Sequence, residues 1–392
     1  MQASCTSTSD RAAARSWRVR TILGWAWRIP LAVCLALVLF EAFLRMPPFR
    51  VGVSPVTYHP QLGYWHKTDY DGQSFSACYS VPYHLDGQGL RPSRGHVPGR
   101  KAILLGDSQV EAVMVADEQV MHQRLQAHLG DRIEVLNYGL GGSGADLQHL
   151  VLQHLVDLDQ VGWVVQLVNL DSDVYEANPN NDKPGQRPRA RLRFDDPADL
   201  DRFHLVPPAP FTRLEQFREV FSDFQLYSYS RAALVPVRGL LREVRQTLKA
   251  SPPSPAADPA RIGPSELAWT NLIGPIRQNQ KLVEAHGGRY LALVWNRDPL
   301  LLAEWQRRIA PLGIETLDLA PALARAGVDL AKVSFSCDHH FTAATHDEIA
   351  KVLAGSGFFD RAGPAKARQA RPSWAMNIQE TQRPVATTTT GR

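Results

Sequence analysis

Three short stretches carry residue types that could do chemistry together. Gly106-Asp107-Ser108 follows an apolar run and opens a helical pattern, so the Ser108 hydroxyl would stand where a strand ends and free helix N–H groups begin. A serine there can be a nucleophile or simply a helix N-cap. Cys337-Asp338-His339-His340-Phe341-Thr342-Ala343-Ala344-Thr345-His346 reads as a loop running into a helix. An Asp two residues before a His can orient its imidazole, and His340 could then act as general base to a serine brought close by folding. His339, His340 and His346 could instead ligate a metal, or be plain surface residues. The turn Asn137-Tyr138-Gly139-Leu140-Gly141-Gly142-Ser143-Gly144 would offer backbone N–H groups to an oxyanion. It also matches the dinucleotide fingerprint GxGxxG at 139–144, although it follows the second strand and has no clear acidic ribose partner.

These pieces need elements to bring them together. From residue 101 short apolar runs alternate with amphipathic stretches, which predicts parallel strands joined by crossover helices. The strands are expected at Ala102 to Leu105, Ile133 to Asn137, Trp163 to Asn169, Tyr290 to Trp295 and Ile314 to Leu317. Helices are expected at 110–129, 145–157, 265–286, 299–311 and 342–354. The fold class is therefore α/β, a doubly wound, mostly parallel sheet in three α/β/α layers, with sites at the carboxyl ends of the strands. About 115 residues separate the third and fourth strands, more than a crossover needs, and predict a cap inserted over about 176–264 near the rim of the site. That insert contains a Pro/Asn stretch (178–191) and a linker (251–264).

Residues 21–44 are apolar apart from Thr21, Arg28 and Glu41. As a helix they would reach about 36 Å, enough to cross a bilayer, with Arg28 and Glu41 snorkelling toward opposite ends. Arg residues crowd the preceding side, which predicts a cytoplasmic tail (1–20), an N-terminal transmembrane helix (21–44) and an exported remainder. No small-x-small site follows the apolar run, which favours an uncleaved anchor over a signal peptide. Cys78 and Cys337 would then lie where oxidation is open to them, leaving a disulfide as one option. No Cys/His spacing of a structural zinc site occurs.

The chain has 392 residues and net charge +4. The ends, 1–28 and 361–392, carry +4 and +5, which leaves −5 for residues 29–360. A nucleic-acid-binding face on the folded body is not expected, because phosphate binding needs clustered Lys and Arg. The basic tail from 361 to 392 reads as disordered.

Taken in order over about 85–357, the three stretches resemble the SGNH (GDSL-type) hydrolase family. Gly106-Asp107-Ser108 resembles its first block, which makes Ser108 the nucleophile by analogy. Asn137 to Gly142 resembles the second block, whose glycine, here Gly142, donates its N–H to the oxyanion. Asp338-x-His340 before Phe341-Thr342-Ala343 resembles the last block, with His340 the base and Asp338 its partner. That spacing departs from the common Asp-x-x-His, and membrane-anchored members often show it. The third block usually ends its strand in Asn-Asp. This chain reads Asn169-Leu170-Asp171-Ser172-Asp173, so alignment on Asp173 puts Ser172 in the Asn position and leaves Asn169 three residues early. Either could complete the oxyanion hole.

Leu85-Asp86-Gly87-Gln88-Gly89-Leu90-Arg91, Gln61-Leu62-Gly63-Tyr64 and the Glu41 to Arg45 end of the anchor also resemble single-span members of the family. The resemblance implies a lead-in (45–100), a catalytic domain (101–360) facing the bacterial periplasm from the inner membrane, and no metal or organic cofactor. It implies a serine ester hydrolase or O-acyltransferase acting on an acylated small molecule or glycan, with envelope carbohydrate the expected substrate. Tyr64, Trp65, Tyr175 and Trp295 could offer sugar-stacking faces or pack in the core. A non-catalytic carbohydrate-binding or assembly protein on the same fold is the alternative.

Overall fold

The computed structural model describes residues 8–46, 55–75, 78–94, 99–179, 188–230 and 263–361. The sequence expectations for residues 1–7, the linker from 251 to 262 and the tail from 362 lie outside these. By internal contacts the chain groups into two units: Met1–Pro55 with Thr212–Pro255, called the anchor unit after the expected role of its apolar helix, and a sheet unit, Val56–Phe211 with Ala256–Arg392.

In the sheet unit, a lead-in of two antiparallel hairpins, β1 (Val56–His59) with β2 (Gly63–His66) and β3 (Asp71–Phe75) with β4 (Ser80–His84), precedes the main sheet. That sheet has five strands: β5 (Lys101–Gly106), β6 (Glu134–Gly139), β7 (Val161–Asn169), β10 (Arg289–Trp295) and β11 (Thr316–Asp318). Their order is β11-β10-β7-β5-β6, and every pairing is parallel. The chain direction across the sheet reverses between β5 and β7, and such a switch point opens a crevice at the carboxyl edge. Ser108 follows β5, and Asn169 ends β7.

The strands are nearly continuous apolar runs because both faces are covered. Ile103, Leu105, Val164, Val168, Ala292 and Val294 point to one side. There they meet α4 (Ala145–Leu155), α7 (Glu266–Ala285) and α8 (Pro299–Ile309), through Leu147, Leu150, Trp269, Ile276 and Trp305 among others. Ala102, Leu104, Val165, Leu167, Leu291 and Leu293 point to the other. They meet α3 (Met121–Leu129), α9 (Leu319–Arg325) and α10 (Ala343–Gly355) through Leu125, Leu323, Ile349 and Leu353. Alternate residues of one strand therefore serve opposite cores, which is the three-layer α/β/α arrangement.

Two expectations about elements need correction. The predicted helix over 110–129 is broken into α2 (Ser108–Glu111), a single 3-10 turn at Asp117–Gln119, and α3. Ala112 stands in the left-handed region at φ 54°, and a chain there cannot continue a right-handed helix. The insert after β7 is also not one cap. Its early part forms a hairpin, β8 (Arg191–Arg193) with β9 (His204–Val206), and Ala190, Leu192 and Phe194 are buried with the core of the sheet unit. Its later part, from Thr212, belongs to the anchor unit. The structure also adds a short helix the sequence reading passed over, α5 (Leu170–Glu176).

Cys78, on the loop before β4, is bonded to Cys337 across 259 residues of sequence, with Cα atoms 6.0 Å apart. The bridge ties the loop holding Asp338 and His340 to the lead-in. Removing such a cross-link frees the unfolded chain more than the folded one, so Cys78→Ser is expected to lower the unfolding free energy by about 2–5 kcal/mol. Thermal unfolding of the variant against the oxidised protein checks this, and equal midpoints would show the bridge to be dispensable.

Candidate active site

The site is built outward from β5. Gly106 must be glycine because a Cβ there would lie 2.4 Å from Val110 Cγ2. Asp107 then caps α2 by accepting the Gln109 N–H at 2.8 Å. Ser108, first residue of that short helix, is half-buried, and its Oγ lies 2.7 Å from His340 Nε2. His340 Nδ1 is hydrogen-bonded to Asp338 Oδ1. A ring nitrogen facing a carboxylate must carry the proton, so Nε2 is left as the acceptor and Ser108 Oγ–H donates to it. Serine, imidazole and carboxylate are thus joined in one chain of hydrogen bonds, in the order the sequence suggested.

The histidine loop is held by a residue the sequence reading missed. Gln109 Oε1 accepts the Phe341 N–H at 2.9 Å, and its Nε2 donates to the His339 carbonyl at 3.1 Å. One side chain next to the serine thereby grips the backbone on both sides of His340. Phe341 is buried, edge-on to Trp295 with ring centroids 5.0 Å apart, and Thr342 caps α10. An amide just after Gly-Asp-Ser is a readable cue, but its partners lie some 230 residues away.

The metal reading does not fit these positions. His346 is fully buried and takes the Met121 N–H at Nδ1, 3.3 Å, with burial depressing its pKa to about 3. His339 is exposed, and His340 is engaged with Ser108. Among the described residues no group of three His, Cys, Asp or Glu side chains is placed to hold a metal ion.

The glycine turn after β6 serves close packing. A Cβ on Gly139 would lie 2.2 Å from the Glu111 backbone nitrogen, so this glycine lets α2 lie against the strand end. That requirement accounts for one glycine of the dinucleotide fingerprint. Asn137 supports the turn, donating to the Val110 carbonyl at 2.7 Å and accepting the Gly139 N–H at 2.8 Å. Gly142 adopts φ +76°, a backbone that favours glycine, and its carbonyl accepts from Arg189 at 2.6 Å. Tyr64 donates its hydroxyl to the Gly141 carbonyl at 3.1 Å.

Of the two third-block candidates, Ser172 sits in the first turn of α5 with its hydroxyl directed to the Asn169 carbonyl and Asp173, each at 3.4 Å. Asn169 ends β7 at the switch point and is 9% exposed. Its side chain favours the ionised form of Asp107, the neighbour of Ser108, while its buried Oδ1 has no hydrogen-bond partner among the described residues. Burial pushes the Asp107 carboxyl up to about 6 and Asp173 well above the usual carboxylate range, the negative charge of Asp107 adding to the latter. The site edge therefore holds carboxyl groups that resist ionisation, and the Asn169 amide counters this at Asp107.

Glu111 is the second residue the sequence did not reveal. It is 5% exposed and accepts from Gly141 N (2.6 Å), Tyr83 Oη (3.1 Å) and His66 Nε2 (3.1 Å). His66 Nδ1 in turn meets the Gly89 carbonyl at 2.8 Å. Arg91, buried, covers the carbonyls of Ala112 and Val115 and pairs with Asp117. The lead-in thus supplies the polar partners of the short helix that begins at Ser108. Burial raises the Glu111 carboxyl, but His66, the Gly141 N–H and Tyr83 outweigh it, and the net direction is down from the ordinary value.

A depressed folded-state pKa gives stability that is present above the unfolded value, about 4.5, and lost as pH falls through the folded one. Glu111→Gln is therefore expected to be less stable than the native protein at neutral pH by about 1–3 kcal/mol. The gap should narrow as pH drops below about 4.5. Denaturant unfolding at several pH values measures it, and a pH-independent difference would show that Glu111 is not ionised in the fold.

No family model matches the sequence, and no curated protein matches it. Solved structures show a distant likeness. An α/β hydrolase from the metagenome of Lake Arreo has 14% identity and TM-score 0.35, with 68% of this chain and 99% of that one covered. A G-D-S-L family lipolytic protein from Desulfitobacterium hafniense has 12% identity and TM-score 0.34 over 66% and 99%. The acetylxylan esterase Axe2 from Geobacillus stearothermophilus has 11% identity and TM-score 0.35 over 66% and 94%.

Proposed function

We propose that this protein is a serine ester hydrolase or O-acyltransferase that works through an acyl-enzyme on Ser108. The observation that carries the reading is the hydrogen-bonded chain Ser108 Oγ, His340 Nε2, His340 Nδ1, Asp338 Oδ1. Ser108 Oγ bonds to the ester carbonyl carbon as its proton passes to His340 Nε2, and Asp338 stabilises the resulting imidazolium. The carbonyl oxygen becomes an oxyanion facing the N–H groups of Ser108 and Gly142 and the amide of Asn169. His340 then returns the proton to the departing alcohol. Water, or an acceptor hydroxyl, attacks the acyl-Ser108 carbonyl by the same route in reverse and frees the serine.

The membrane setting is part of the proposal. Among the described residues one helical stretch, Ala26–Leu44 within α1 (Thr8–Leu44), is long and apolar enough to span a bilayer or to be a signal sequence. We read it as an inner-membrane anchor with the sheet unit in the periplasm, from the Arg residues that precede it. An envelope carbohydrate as the acylated or acyl-accepting substrate follows from that location. The aromatic residues add little to it, because Tyr64, Trp65 and Trp295 are buried and only Tyr175, at 42%, is exposed.

A variant series on a short-chain acetyl ester tests the reading. Ser108→Ala and His340→Ala should each lower turnover by about 10³-fold or more. Asn169→Ala should lower it by about 10- to 10³-fold, and Ser172→Ala should leave it near the native rate. Full turnover in Ser108→Ala would overturn the mechanism. Product that forms only when glycan is supplied identifies a transferase, and acetate release alone identifies an esterase.

A further inference from the structure

Within the anchor unit, α6 (Arg213–Ser222) wears its polarity inside out. Leu214, Phe217, Val220, Phe221 and, just beyond the helix, Phe224 are 57%, 60%, 64%, 38% and 40% exposed. Ser222 is buried, and Glu215 and Glu219 are half-buried. At 100° per residue the five apolar side chains fall within about a third of the helix circumference, clear of Glu215, Gln216, Arg218, Glu219 and Ser222. A helix turned toward water would show the opposite face, and a contiguous apolar stripe of this kind marks a contact with something apolar.

Its position along α1 indicates what that is. Glu41, in the last turn of the apolar window, accepts the N–H groups of Gln225 and Leu226, both at 2.9 Å, and its neighbour Arg45 at 2.9 Å. Arg45 also donates to the Asp223 carbonyl at 3.2 Å, and its guanidinium stands 5.9 Å from the centroid of the Phe224 ring. Glu41 therefore does not snorkel, as its sequence position suggested, because the first N–H groups of the segment after α6 come to it. These bonds fix the turn after α6 at the level where α1 leaves its apolar stretch, which for a spanning helix is the headgroup layer.

We propose that α6 is an in-plane membrane helix that buries Leu214, Phe217, Val220, Phe221 and Phe224 among lipid acyl chains beside the exit of the anchor. Amphipathic helices of this kind insert their apolar face about 5–10 Å below the surface and keep their charged face in the headgroups. The inference rests on the anchor reading and is independent of the hydrolase chemistry. Its occupant is the bilayer, reached by the same chain that spans it.

The test uses full-length protein carrying Cys5→Ser and Cys34→Ser, reconstituted in phosphatidylcholine–phosphatidylglycerol vesicles, with one environment-sensitive label per sample. Labels go at Phe217→Cys, at Val220→Cys in case the first disturbs folding, at Gln216→Cys on the polar face, and at Leu37→Cys inside the anchor. Lipids brominated along the acyl chain should quench 217 and 220 about as strongly as 37 and at least twofold more than 216, with aqueous iodide showing the reverse order. If 37 is quenched while 217 and 220 are not, the proposal fails: iodide access then means water, and iodide protection means cover by protein, a second copy included. If 37 is not quenched either, the anchor reading itself has failed and this inference goes with it.

Discussion

A carboxylate withdrawn from water has to be met by donors, and in this fold the donors assembled around Glu111 hold the site together. Glu111 ends the one-turn helix that begins with Ser108. Its two oxygens take the Gly141 N–H from the turn after β6, and the Tyr83 hydroxyl and His66 imidazole from the lead-in. Loss of any one partner would leave a buried charge partly unsatisfied. The helix that begins at Ser108, the glycine turn and the lead-in are therefore locked to one another, and the turn whose Gly142 N–H the proposed mechanism uses inherits that rigidity. Preorganised donors are what make oxyanion stabilisation effective, since they need not reorient when charge develops.

The opposite side of the site is held by different means. Gln109 grips the backbone around His340, the Cys78–Cys337 bridge ties that loop to the lead-in, and Phe341 anchors it in the core against Trp295. Ser108 thus stands between two separately braced halves, the Glu111 side with the turn proposed to supply oxyanion donors and the Gln109 side with His340, the proposed base. Both braces come from residues flanking the serine, at one and three positions beyond it, which points them to opposite sides of a helical turn.

The sheet strands and most helices were legible in the sequence because strand runs and helical stretches differ in period, and Ser108, His340 and Asp338 stood in motifs of recognisable spacing. The break at Ala112 was not legible, since alanine there gives no sign of a left-handed backbone that Arg91 holds by capping the Ala112 and Val115 carbonyls. Glu111 and Gln109 look like ordinary polar positions of an amphipathic helix. Their importance comes from partners 28 to 232 residues away, which periodicity does not encode. The insert between β7 and β10 was visible as excess length, but its division between the sheet unit and the anchor unit depends on contacts such as Glu41 with Gln225.

In the proposed mechanism Ser108 carries the acyl group between two half-reactions. Mixing the full-length protein with an activated acetyl ester, quenching within the first turnover and mapping the modified peptide by mass spectrometry tests it most directly. Native protein should show acetylated Ser108, with a longer-lived adduct when water attack is slowed at low pH, and His340→Ala should show no adduct. Acetate release with an unmodified Ser108, or an adduct on another side chain, would contradict it.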